Sequence, residues 1–153
     1  MATHTLSRAG VDLVYDVHGP LPTADGQPPL VLIGQPMDAS GFSALVAQLP
    51  ERTTVTYDPR GLGRGVRRDG RVDNDPEVQA EDVRAVIDAL GAGPVDLFAS
   101  SGGAVTALAL VAAHPSAVRT LVAHEPPLLS FLPDAAAAVR AQEQVRARYD
   151  QAG

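Results

Sequence analysis

A serine hydroxyl works as a nucleophile where the chain holds it clear of its surroundings and close to groups that stabilise negative charge. One stretch of this sequence offers that arrangement: Val95-Asp-Leu-Phe-Ala-Ser-Ser-Gly-Gly-Ala-Val-Thr-Ala-Leu-Ala-Leu-Val-Ala-Ala-His-Pro115. It opens as a short apolar run suited to a buried strand, turns through a few small residues, and continues as a long Ala/Leu/Val helix. Ser101 stands at the apex, with Ala99 two positions before it and Gly103 two after. That is the spacing of a G-x-S-x-G turn with alanine replacing the first glycine. Small residues are needed there because larger ones would push strand and helix apart. The helix start behind Ser101 presents free N–H groups, so negative charge forming on or near the hydroxyl would be stabilised. The structural alternative for the same Ser-Ser-Gly-Gly turn is a simple helix N-cap, and anion binding at 100–103 stays open.

Two segments upstream bear on that choice. Ile33-Gly34-Gln35-Pro36 ends the apolar run Leu30–Ile33, and Asp58-Pro-Arg-Gly-Leu-Gly-Arg-Gly65 follows the β-branched run Thr53–Tyr57. The glycines at 61, 63 and 65 do not make a dinucleotide fingerprint, because the third comes one position early and Val66-Arg-Arg-Asp-Gly70 is not an apolar helix. The three segments, in this order and at this spacing, resemble the α/β-hydrolase family. Val95 to Pro115 looks like its strand–nucleophile–helix unit. Ile33–Pro36 is similar to its His-Gly-x-Pro oxyanion loop, with isoleucine for histidine, and Asp58–Gly65 to its Asp-x-Arg-Gly-x-Gly-x-Ser segment. The resemblance covers essentially the whole chain, yet the chain covers only about the N-terminal half of that family's usual length.

By that resemblance Ser101 is the nucleophile, and the backbone N–H groups of Gln35 and Gly102 form the oxyanion hole, where one donor is typically worth ~3 kcal/mol. Glu125 occupies the place where some relatives carry the catalytic acid; a pocket-wall or capping glutamate is the alternative, and the acid could instead lie beyond Gly153. Asp58 and Arg60 read as structural, fixing the loop beside the oxyanion strand. No cofactor and no metal is implied. The family's histidine follows its eighth strand, in the order serine, acid, histidine, and this chain reaches only the sixth. His4 and His18 fall in the N-terminal hairpin, and His114 ends the nucleophile helix roughly 20 Å from its start at 1.5 Å per residue. His124 ends the following strand on the correct face but reads as a wall residue rather than the base. Three explanations follow: a fragment of a longer enzyme, which is favoured, strands supplied by another chain, or a natural minimal domain that binds a small ligand. The expected activity is hydrolysis of an ester or related acyl substrate. The alternatives are cofactor-free perhydrolase or haloperoxidase-like chemistry on the same serine, and an inactive small-ligand or partner-binding domain.

The elements that must position these residues are legible in the pattern. Thr3–Ser7 and Val11–Val17 read as strands joined at Ala9-Gly10, and Gly19–Pro29 as a loop. Leu30–Ile33, Thr53–Tyr57, the run from Val95 and Arg119–His124 complete about six strands. Phe42, Leu45, Val46 and Leu49 have helical spacing, Asp75-Pro76 caps a helix to Leu90 with Gly91 and Gly93 after it, and Pro133-Asp134 opens a last helix to about Asp150 with a poor apolar stripe. Val66–Asn74 reads as polar and turn-like. The alternation of strands and helices predicts a three-layer α/β fold: a mostly parallel sheet with right-handed crossovers and helices on both faces. Residues 1–153 form one domain, and 128–153 would begin a lid.

With 153 residues, 45% hydrophobic and 20% charged, the sequence is that of one globular domain. The net charge of −6 and the scatter of its basic residues, apart from Arg64, Arg67, Arg68 and Arg71, argue against nucleic acid. No run approaches a membrane span and no leader is evident, so a cytoplasmic address is expected. There is no cysteine, and all 12 basic residues are arginine. Because the family sheet continues past its sixth strand, Arg119–His124 is expected to be an open edge that recruits a second copy or a complementing C-terminal segment.

Overall fold

The computed structural model describes residues 1–72 and 74–152; position 73, inside the 66–74 stretch, and position 153, the end of the 128–153 region, lie outside the described residues. Seven strands, β1 (Ala2–Arg8), β2 (Val11–His18), β3 (Leu30–Gln35), β4 (Thr54–Asp58), β5 (Val66–Arg67), β6 (Val95–Ser101) and β7 (Val118–His124), form one sheet. Four α-helices accompany it: α1 (Ser43–Ala47), α2 (Pro76–Leu90), α3 (Gly102–Ala113) and α4 (Ala135–Ala152). The strand order is β1-β2-β4-β3-β6-β7, with β5 pairing β2. β4, β3, β6 and β7 run parallel, while β2 is antiparallel to β1, β4 and β5. The expected mostly parallel α/β sheet is therefore the fold.

The alternation of side chains along the strands divides the molecule into layers. Val31, Ile33, Val55, Tyr57, Val95, Leu97 and Ala99 point to one face, where they pack against Ala80, Val83, Val86 and Ile87 of α2 and Ala104, Ala107 and Leu110 of α3. Burying a side chain such as Leu97 or Leu110 fully is worth about 1.5–3 kcal/mol, and both are at most 1% exposed. On the opposite face Leu30, Leu32, Phe98 and Val122 line an apolar groove of about 340 Å³ with Leu45 and Leu49.

α2 starts and stops as its sequence demands. The Asp75 carboxylate accepts from the N–H groups of Glu77 and Val78, Pro76 fills the first turn, and Gly91 adopts φ 61 after the last residue. α1 is shorter than the apolar spacing from Phe42 to Leu49 suggests. Its first turn is the 3-10 segment Ala39–Phe42, held by the Asp38 side chain, which accepts from the N–H of Ser40. One strand exceeds the six expected: Val66 and Arg67 pair with Asp12 and Val11, inside the stretch read as a turn. Two residues are too few to show a periodicity of two. α4 buries no residue, and no described helix is long and apolar enough to cross a membrane.

Candidate active site

β6 runs directly into α3, and Ser101 takes the whole bend, with φ 56 and ψ −126. Such a backbone costs a non-glycine residue about 1–3 kcal/mol and persists only where the surroundings impose it. Here they do, because β6 is paired on both sides, by β3 and by β7, and α3 packs on the core face. Ser101 is exposed, and its side chain makes no capping bond to the helix. The N-cap arrangement is thus not what this serine does.

The close approach of α3 to β3 depends on Gly103. A Cβ at that position would stand 2.8 Å from Gly34 Cα, 2.9 Å from Gly34 N and 2.9 Å from Ile33 O. The same contact brings Gly102 against Gln35: a Cβ on Gly102 would lie 3.2 Å from both the Cβ and the carbonyl oxygen of Gln35. Gln35 and Ser101 are register partners across β3 and β6. Three of the four expected site residues, Gln35, Ser101 and Gly102, are therefore assembled at one point, at the C-terminal ends of adjacent parallel strands and the N-terminus of α3.

The fourth, Glu125, follows His124, the register partner of Ser100, and so stands next to Ser101 at the end of β7. It adopts φ 48; among the described non-glycine residues only Ser101 and Glu125 have positive φ. Both strained positions thus lie side by side on neighbouring strand ends. His124 has a contact that sequence reasoning missed: its Nδ1 shares a 3.3 Å hydrogen bond with the Ser100 hydroxyl, and its ring stacks on Phe98 at 6.1 Å. Strand alternation could have placed Ser100 and Phe98 on one face, but the register to β7 is not written in either segment.

The other histidines are elsewhere. His4 stacks on Tyr15 in the N-terminal hairpin. His18 shares a hydrogen bond with Thr56 and pairs with Thr54, the first residue of β4, at the far end of the sheet. His114, past the end of α3, lies 2.6 Å from the Glu81 carboxylate.

Asp58 and Arg60 belong to the scaffold. The Asp58 carboxylate accepts from Ala39 N at 2.8 Å and from Arg64 N and Nε at 3.0 and 2.6 Å, joining the segment after β3 to the loop after β4. Arg64 also reaches Asp16 with both terminal nitrogens, which holds the Asp16 carboxyl below its ordinary range. Arg60 makes a two-point bond to Asp82 of α2, 2.6 and 2.8 Å, and this bond raises the Arg60 guanidinium above its usual value. A cavity of about 590 Å³ is lined by Asp16, His18, Thr56, Asp58 and Arg64 but not by Ser101. The serine instead sits on an open shelf. Among the described residues no group of three or more His, Cys, Asp or Glu side chains could hold a metal ion.

Residues 28–152 match the alpha/beta hydrolase fold family. The uncharacterised hydrolase YraK of Bacillus subtilis (strain 168) is 32% identical over 129 residues, 84% of this chain and 46% of that protein. An alpha/beta hydrolase structure from Sphaerobacter thermophilus superposes with a TM-score of 0.67 and 30% identity, over 81% of this chain and 45% of the other. A hydrolase structure from Pseudomonas aeruginosa PA01, 22% identical, has the same fold with a TM-score of 0.75 over 95% of this chain and 52% of the other. The chain thus spans about half the length of the relatives it matches.

Proposed function

Since the chain belongs to the alpha/beta hydrolase fold family, we propose that it carries the nucleophile and oxyanion site of a serine hydrolase acting on an ester or related acyl substrate. The observation that supports this reading above all others is the strained, exposed, uncapped Ser101 between Gln35 and Gly102. In this reading the Ser101 Oγ attacks the acyl carbon and gives up its proton to a base. The carbonyl oxygen becomes an anion, and the main-chain N–H groups of Gln35 and Gly102 stabilise it. The tetrahedral species then expels the protonated leaving group, and water releases the acyl group from Ser101 in a second round of the same steps. Glu125, at the adjacent strand end, is the acid that orients the base. None of His4, His18 and His114 is placed to serve as that base.

A fluorophosphonate probe tests the assignment, because it phosphonylates only an activated serine. The expected result is a label mapped to Ser101 by peptide mass spectrometry and lost in Ser101→Ala. Labelling at another residue, or none at Ser101 under conditions that fully modify a complete serine hydrolase, would refute it.

A further inference from the structure

The sheet has two edges, and they are built differently. β1 carries Thr3, His4, Thr5, Ser7 and Arg8, a polar edge of the kind that discourages pairing with another chain. β7, Val118-Arg-Thr-Leu-Val-Ala-His124, carries three consecutive apolar residues, Leu121, Val122 and Ala123. Its single ionised side chain, Arg119, is occupied by a two-point bond to Asp96 at 2.8 and 2.6 Å. β7 has no strand partner on its outer side among the described residues, and Val122 is 52% exposed. No proline or bulge on the outer side blocks the edge.

We propose that β7 is a dimerisation strand whose partner is a second copy of this chain, paired antiparallel about a two-fold axis at Leu121. The sequence is self-complementary in that register. Leu121 faces its own copy, Thr120 faces Val122, Arg119 faces Ala123 and Val118 faces His124, so no like charges oppose each other. The axis also sets the two apolar grooves of Leu32, Phe98 and Val122 beside one another on the same face of a continuous sheet. Strand pairing and groove contact together give the seam both main-chain hydrogen bonds and apolar burial. The two Ser101 residues end at opposite ends of the seam, so association leaves both open. The inference is independent of Ser101 chemistry.

Sedimentation velocity of the intact chain from low to tens of micromolar concentration should show monomer converting to dimer. Amide hydrogen exchange on the same samples should show protection within 118–124 that rises with concentration. Val122→Glu, with unchanged far-ultraviolet circular dichroism, should weaken the dimer at least about tenfold, because it buries an unpaired charge in the seam. A monomer throughout that range overturns the proposal. So does a dimer whose 118–124 amides gain no protection, which assigns another surface. Protection of those amides in a monomer at every dilution also overturns it, since the chain's own α4 segment would then cover the edge. Val122→Glu that dimerises as tightly as the parent overturns it as well.

Discussion

Gly103→Ala adds one methyl group at the tightest contact of the molecule, and its cost follows from the distances. The new Cβ would meet Gly34 Cα, Gly34 N and Ile33 O at 2.8, 2.9 and 2.9 Å, whereas carbon contacts are most favourable near 3.5–4.0 Å. All three atoms belong to the backbone of β3, which is hydrogen-bonded to β4 and β6 and cannot turn aside as a side chain would. The helix must therefore withdraw by about 0.5–1 Å. Overpacking of this kind costs about 1–3 kcal/mol, and a clash with three main-chain atoms belongs at the upper end. Alanine recovers ~1 kcal/mol through its better helix propensity. The net expectation is a loss of about 2 kcal/mol, a drop in Tm of about 4–8 °C for a chain of this size. Urea unfolding followed by circular dichroism measures the first, and a thermal scan the second. The same withdrawal displaces Ser101 from Gln35, and ~1 Å of misplacement can cost ~100-fold in rate, so fluorophosphonate labelling should slow by a similar factor. Stability within ~0.5 kcal/mol of the parent together with unchanged labelling would refute the claim that this close approach fixes the turn.

Three further outcomes are expected. Asp82→Asn removes the charge that Arg60 grips with 9% of its side chain exposed, and it should cost about 3 kcal/mol in urea unfolding, whereas Arg84→Ala, at an exposed i,i+4 pair with Asp88, should cost less than ~0.5 kcal/mol. Thr54→Val should leave stability unchanged or raise it by up to about 1 kcal/mol, because the fully buried Thr54 hydroxyl has no hydrogen-bond partner to lose; a clear loss would show that the hydroxyl is satisfied. Arg64 holds Asp16 below the ordinary aspartate value of 3.8, and Arg119, with Arg52, does the same to Asp96 against the opposing effect of burial. Carboxyls depressed in the folded state contribute stability above the unfolded value and lose it as pH falls through the folded one. The urea midpoint should therefore hold from neutral pH down to about 5 and decline below about 4, and a decline that begins near neutrality would instead point to the histidines.

The sequence is most legible where one local cause suffices. Asp75-Pro76 and Gly91 mark the ends of α2 without reference to anything distant, and the apolar run Leu30–Ile33 announces a strand covered on both faces. The turn at Ser101 is readable because small residues have one evident use between a strand and a helix. What escapes is set by register and length. The bond between Ser100 and His124 exists because β6 and β7 align those two residues, and no local pattern encodes that alignment. The two-residue β5 is specified by its partner β2. The left-handed backbone of Glu125 has no glycine or asparagine to signal it. α1 is shorter than its apolar spacing implies because Asp38 captures the chain into a 3-10 turn first.

The strand order has a consequence for synthesis. β3 lies between β4 and β6, so while the chain emerges from the ribosome, its apolar segment Leu30–Ile33 can gain one neighbour early but must wait for Ser101 to be translated before it gains the other. At ~5–20 residues per second that wait lasts several seconds. During it the nascent polypeptide offers an unfinished sticky flank to chaperones and to its own siblings on the same messenger, and the step that closes the flank is the one that bends the chain at Ser101.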